Sequence, residues 1–313
     1  MLEILIYGKI IIDNIGLQDG TIVRGVLGGG GPQAAFGARL WTEADSVGLL
    51  SRAGTDLESV HRHTLEHLSV NLDGVALYDD LPTLRGTLMA YDRQEYMTPG
   101  DETNWPIERQ ENWGRMLARP LALPPAYRAP RAVHLVTEYA DEPMVATALA
   151  LRERGALLSL EPLIDYRAWS NREAMVALLR HVDVVSPDWP SASGIAGSDD
   201  PRLVVAHWSR LGPRVIAIRH GQHGSYLWDG ARDAAWHIPA VPVTVVDPTG
   251  AGNSYGGGLC AGWLESGDAQ TAATFGAVAA SFLVERVGLP AMSEQLRAAA
   301  RERLRAAAAV HPL

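Results

Sequence analysis

The chain contains a single cysteine, Cys260, among its 313 residues. One thiol excludes an intrachain disulfide framework and any cysteine-based zinc site, and makes a reducing, cytoplasmic compartment the default expectation. A basic surface is missing too. Lys and Arg total 27 against 36 Asp and Glu, a net charge of −9. That balance argues against a nucleic-acid or anionic-membrane partner, since both are held by clustered positive charge. No apolar stretch approaches the roughly 20 residues needed to span a bilayer. The opening Met-Leu-Glu-Ile-Leu-Ile-Tyr carries an acid where a secretory leader needs a base, so it reads as a first buried strand. No Gly-x4-Gly-Lys-[Ser/Thr] string occurs. Any nucleotide is therefore held without a P-loop.

What is present is a chain 47% hydrophobic, enough to bury one large core. Short apolar runs at Leu2–Tyr7, Ser46–Leu50, Ala132–Val136, Ala156–Leu160, Val182–Ser186 and Val215–Arg219 read as strands. Between them, Pro32–Trp41, Asp56–Leu68, Pro143–Arg154, Asn171–Arg180 and Arg202–Leu211 read as helices. The alternation predicts an α/β fold, a doubly wound and mostly parallel sheet with helices on both faces. Ligands of such sheets sit at the carboxyl ends of strands. Here those ends carry Gly8-Lys9, Thr137-Glu138, Glu161-Pro162, Pro187-Asp188 and His220-Gly221.

Two stretches break the alternation. Ile11–Leu27 and Val75–Tyr91 read as hairpins, turning at Gln18-Asp19-Gly20 and Tyr78–Pro82, and together predict a small separate sheet that would act as a lid. Arg93–Pro130 is an insertion with one helix near Glu108–Ala118. Ser293–Val310 reads as a terminal packing helix.

The string Asp247-Pro-Thr249-Gly250-Ala251-Gly252-Asn253-Ser254 is the most specific in the chain. An apolar run, Val243–Val246, ends in an acid, and a Gly-Ala-Gly turn opens a helix of small residues. The first backbone N–H groups of a helix lack intrahelical partners and stand at its positive end, so they suit a phosphate or a developing oxyanion. A glycine-rich helix packed tightly on the sheet is the plainer account of a lone Gly-x-Gly; the whole string is more specific.

Asp247–Asn253 resembles the second signature of the PfkB carbohydrate kinases, Asp-Thr-x-Gly-Ala-Gly-Asp. Gly28-Gly29-Gly30-Gly31-Pro32-Gln33, running on to Arg39, resembles the first. Gly8…Asp13 resembles the family's amino-terminal strand and substrate acid, Ser186-Pro-Asp188 its Asn-x-x-Glu region, and Arg219-His-Gly221-Gln-His-Gly224 its Gly-x-x-Gly turn. The resemblance spans Gly8 to Gly288. It implies one ribokinase-like domain over residues 1–313, with lid segments near 11–27 and 75–91, that transfers a phosphoryl group from ATP to a hydroxyl of a sugar or related small molecule. By the same resemblance the acceptor would lie near Asp13, Gly29, Gly30 and Gln33. ATP would lie near Asp188, Arg219, Gly221, Gly224, Thr249 and the Ala277–Gly288 region, with Mg2+ on its phosphates. Gly250, Ala251 and Gly252 would stabilise the moving phosphoryl charge. Asp247 would help to hold a monovalent cation such as K+, and two copies would pair through the lid.

Two departures stand out. The family's catalytic aspartate is Asn253 here, and Asp188…Ser191 lacks the acid associated with magnesium and phosphate. An amide accepts no proton at neutral pH, although it still bonds a hydroxyl. General-base help is worth about 10²–10⁴-fold, and phosphoryl transfer depends more on positioning and electrostatics. A slow kinase and a nucleotide- or sugar-binding pseudokinase both follow. Gly-Ala-Gly-Asn together with Gly-Ala-Arg-Leu resembles a divergent branch typified by the fungal maintenance-of-killer proteins.

Rival motifs are weaker. His63-Thr-Leu-Glu66-His67 matches a zinc metallopeptidase pattern. At about 100° per residue, however, Leu57, Val60, Thr64, Leu65 and Leu68 form the apolar arc, which puts His63 and Glu66 on the solvated side. Gly252-Asn-Ser254-Tyr-Gly256 matches a hydrolase elbow, but no strand runs straight into its first glycine. Gly29–Ala34 meets a loose dinucleotide pattern without the strand that should precede it. Cys260 reads as a small packing residue.

Overall fold

A computed structural model describes residues 2–92, 96–97, 107–163 and 171–313. The parts of the insertion at 93–95 and 98–106 lie outside the described residues. The strands are β1 (Ile4–Tyr7), β2 (Ile11–Gly16), β3 (Ile22–Gly28), β4 (Val47–Gly54), β5 (Asn71–Tyr78), β6 (Leu84–Asp92), β7 (Tyr96–Met97), β8 (Ala132–Thr137), β9 (Leu157–Pro162), β10 (Val184–Val185), β11 (Val215–Arg219), β12 (Ser225–Asp229), β13 (Ala234–Ile238) and β14 (His311–Pro312). The helices are α1 (Gly30–Arg39), α2 (Ser59–Glu66), α3 (Ile107–Ala118), α4 (Pro143–Glu153), α5 (Arg172–Leu178), α6 (Trp189–Ala196), α7 (Pro201–Trp208), α8 (Ala251–Ser266), α9 (Ala269–Val284) and α10 (Glu294–Arg305).

The main sheet runs β14-β13-β12-β11-β10-β9-β8-β1-β4-β5. It is parallel from β5 to β11 and antiparallel beyond. β1, β4 and β8 are buried along their whole length, as parallel strands covered on both faces must be. Alternate side chains of β1 enter different cores: Ile4 and Ile6 join Phe36, Leu49 and Val278 under α1 and α9, whereas Leu5 and Tyr7 join Val133, Leu160 and Trp208 on the opposite face. Among the described residues, no helix is long and apolar enough to cross a membrane.

The smaller sheet runs β3-β2-β6-β7. β2 and β3 form the expected hairpin, closed by Gly20 at φ 85° and by Asp19, whose carboxylate accepts the Thr21 N–H at 2.8 Å. Val75–Tyr91 is not a hairpin. β5 pairs parallel with β4 at the edge of the main sheet, and β6 pairs parallel with β2 in the small one. The connection between them is pinned to the end of β4. Asp56 Oδ1 accepts from both the N–H and the hydroxyl of Thr83, each at 2.7 Å, and the Gly54 N–H donates to that hydroxyl at 3.1 Å. The chain therefore leaves one sheet and enters the other.

Candidate active site

Two helix starts converge at the carboxyl edge of the sheet. β3 runs into α1 through Gly29, whose φ of 88° and ψ of 153° favour glycine. α8 opens after Gly250 in the left-handed region, φ 78°. Neither start carries a side-chain cap; the Gly31 N–H donates to Lys9 O at 3.2 Å and the Ala251 N–H to Pro248 O at 3.1 Å, and the other first-turn N–H groups stand at the positive helix ends. They meet directly. A Cβ on Gly250 would lie 2.1 Å from the Gln33 side chain, and the Asn253 and Gln33 carboxamides touch at 2.6 Å. The helices cross through two glycines: a Cβ on Gly37 would fall 2.0 Å from Ser254 O, and one on Gly257 1.9 Å from Ala34 O.

A narrow recess opens beside this junction, lined by Asp13, Gln33, Asp247, Thr249 and by Gly28 and Val26 of the small sheet. Asp13 is 6% exposed, and burial first, then the charge of Asp247, push its carboxyl up to about 7. Asp247 Oδ1 accepts from the Thr249 N–H (2.9 Å) and hydroxyl (2.6 Å), a local turn that sets the approach to α8. Residues 243–246 form no strand; the chain is held there by Val246 and Asp247 N–H bonds to Val284 O.

The residues expected around a nucleotide form a second group. Asp188 caps α6, accepting the Ser191 N–H at 2.9 Å, and its backbone pairs in parallel with that of Arg219. Gly221 and Gly224 hold positive φ in a tight turn after β11. Arg219 links the two groups, because a Cβ on Gly252 would lie 1.8 Å from its Nη1. Its guanidinium therefore stands against the first turn of α8. An arginine beside an uncapped helix start fits a phosphate on both charge and geometry.

Sequence reasoning noted Glu161 only as a strand-end residue and gave it no role. It ends β9, is 2% exposed, and accepts from Arg219 Nη1 at 2.7 Å. Asn253 lies against it. The only sign was an acid closing the apolar run Ala156–Leu160, a pattern that other strands share. Lys9 was likewise noted only as a strand-end residue. It pairs with Glu138 and lies 5.6 Å from the Trp113 ring of α3, so the insertion covers the β1 end of the edge.

The rival motifs fall elsewhere. His63 and Glu66 are 67% and 63% exposed on α2. Ser254 is buried inside α8, not displayed on an elbow. Cys260 is buried, which raises its thiol to about 12.

A model of the pfkB family carbohydrate kinases matches residues 1–296. An uncharacterised protein of Schizosaccharomyces pombe is 25% identical, over 92% of this chain and 86% of its own. A nucleoside kinase of Methanothermobacter thermautotrophicus is 29% identical, over 85% and 81%. Among solved structures, a candidate ribokinase II of Escherichia coli in complex with ATP and Mg2+ superposes with a TM-score of 0.75, covering 97% of this chain and 100% of that one at 18% identity. The fold is ribokinase-like.

Proposed function

Because the chain belongs to the pfkB family of carbohydrate kinases, we propose that it transfers the γ-phosphoryl group of ATP to a hydroxyl of a sugar or nucleoside. One observation carries the reading. Two uncapped helix starts, from segments some 220 positions apart, meet at Gln33 and Asn253 between a carboxylate-lined recess and Arg219. The acceptor would bind in the recess, with Asp13 and Gln33 taking its hydroxyls beside Gly29 and Gly30. ATP would lie along Asp188, Arg219, Gly221, Gly224 and Thr249, its transferring phosphoryl at Gly250-Ala251-Gly252. The site fits such a group because it offers unpaired N–H donors and a guanidinium where anionic charge would build up. Mg2+, when bound, neutralises phosphate charge. Asp247 would favour a monovalent cation near the turn. The chain would work as one domain over 1–313 in the cytoplasm, with the small sheet as its lid and as the face on which two copies pair. The Gly-Ala-Gly-Asn string, with Gly-Ala-Arg-Leu, supports placement in the maintenance-of-killer branch.

Asn253 supports a second reading, binding without useful turnover. The experiment is a thermal-shift screen of sugars, polyols and nucleosides with ATP and Mg2+, followed by ADP release with the acceptors that bind. A melting shift with ATP and ADP release with one acceptor are expected. A shift without release would favour the second reading, and no shift at millimolar ATP would sink both. Light scattering at twice the chain mass tests the pairing; a single-chain mass would rule it out.

A further inference from the structure

Asn253 is pinned between two side chains of different chemistry. On one side stands Gln33, 2.6 Å away. On the other stands Glu161: with the amide nitrogen turned toward it, the distances to Oε1 and Oε2 are 2.8 and 3.3 Å. An ionised carboxylate only accepts hydrogen bonds, so the nitrogen of Asn253 belongs on the Glu161 side and its oxygen on the Gln33 side, where the Gln33 carboxamide must in turn present its nitrogen as the donor.

Of the groups facing Glu161, Arg219 is the one that favours its ionised form. Arg219 Nη1 donates at 2.7 Å. His134 Nε2 is 3.9 Å away, and its ring is kept neutral by burial, with its pKa near 3. Asp188 contributes a repulsion, and burial is the larger force pushing the Glu161 carboxyl up. The guanidinium in direct contact opposes both.

An amide in the place of a catalytic carboxylate is useful to an acceptor hydroxyl only if it offers oxygen. Left free, it would rotate between offering oxygen and offering nitrogen. We propose that Glu161 is the positioning residue of this site: anchored by Arg219, it holds the nitrogen of Asn253 so that the carboxamide oxygen faces the acceptor side. The site thus keeps one carboxylate, moved from position 253 to position 161, and the two residues work as a pair. This inference rests on the kinase reading. It also changes what Asn253→Asp should do, because that substitution alone puts two carboxylates within hydrogen-bond distance, and such a pair shares a proton.

The test is a cycle of wild type, Asn253→Asp, Glu161→Gln and the double variant. Melting is followed between about pH 5 and 8, beyond the ordinary carboxylate range, and ADP release is measured with an acceptor from the screen. A carboxyl raised in the folded state contributes stability at low pH that is lost as pH rises. Asn253→Asp should therefore lose melting temperature relative to wild type across that window, and the double variant should not. In turnover, Glu161→Gln should lower kcat while leaving the KM for ATP in place. The double variant should exceed Asn253→Asp alone by at least about 10²-fold, the low end of general-base help. Independent, additive effects would overturn the pairing. So would an Asn253→Asp protein whose melting tracks wild type at every pH, and this comparison decides the matter even if Glu161→Gln does not fold. The melting arm needs no turnover, so it separates failure of the pairing from failure of the kinase reading, which the ATP shift on wild type reports.

Discussion

At the scale of single residues, Asp13 is the group whose protonation the fold most clearly adjusts. Its carboxyl titrates near 7 in the folded chain and from 3.8 when unperturbed. Folding therefore favours its neutral form, and the stability this brings is present below about pH 4 and lost as pH rises through 7. The upper limit is about 4 kcal/mol for a shift of some three units. Asp13→Asn should flatten the decline of melting temperature between pH 5 and 8; an unchanged decline would mean that Asp13 is not its source. The ionised form is the one that accepts two hydroxyl hydrogen bonds, so acceptor affinity should rise with pH through 7 while ATP affinity stays level. Asp13→Ala should remove acceptor binding and leave ATP binding in place, which calorimetric titration of both ligands resolves. Equal loss of both would make Asp13 a structural turn residue. The structure gathers Asp13, Gln33, Asp247 and Thr249 around one recess; the last three sit in or beside glycine-rich strings of unusual spacing, whereas Asp13 was named only through the resemblance of Gly8…Asp13 to the family's first strand. Glu161 was given no role, because an acid at a strand end becomes informative only when the fold brings Arg219 and Asn253 against it.

Elements obey the same division. The buried parallel strands and the helices between them stood out by period, since a strand covered on both faces is apolar throughout and a helix repeats every three to four residues. β12 and β13 escaped notice: their half-buried alternation is interrupted by Asp229-Gly230 and mixed with Trp, His and Arg. β5 and β6 were misjoined, because local sequence shows a turn but not whether the next strand returns to the same sheet. What binds α1 to α8 is also tertiary. Gly37 and Gly257 let the backbones approach so closely that an added methyl would overlap a carbonyl oxygen at 2.0 or 1.9 Å. Overpacking costs about 1–3 kcal/mol and more where backbone must move. Gly257→Ala is therefore expected to cost at least about 3 kcal/mol in denaturant unfolding and, by parting the helices, to weaken ATP binding. Gly114→Ala on α3, where nothing lies within 4 Å of the new methyl, is the control and should be neutral or mildly stabilising. Equal stability of the two variants would show that the helix crossing is not tight.

For the molecule as a whole, the arrangement of the recess predicts how the small sheet responds to ligand. Asp13, Ile15, Val26 and Leu27 reach the recess from β2 and β3, whereas Gln33, Asp247, Thr249 and Leu283 reach it from the main body. The small sheet shares its parallel β2–β6 pairing with no strand of the main sheet. Its outer strand β3 is largely exposed from Ile22 to Gly25. Strands with few buried contacts open at lower free energy than a core, so their amides should exchange faster than those of β1 or β8. An acceptor in the recess would touch both bodies at once and tie the small sheet down; ATP, held along β11 and the start of α8, would touch only the main body. Hydrogen exchange followed by mass spectrometry should therefore show slower exchange in β2 and β3 with acceptor present. With ATP alone, protection should be confined to the peptides that carry Gly221–Gly224 and Gly250–Asn253. A lid that orders only over bound acceptor also excludes water from the transferring phosphoryl and limits futile hydrolysis of ATP. If ATP alone protected β2 and β3 as strongly as acceptor does, the small sheet would be reporting on the nucleotide, and the assignment of the recess to the acceptor would fail.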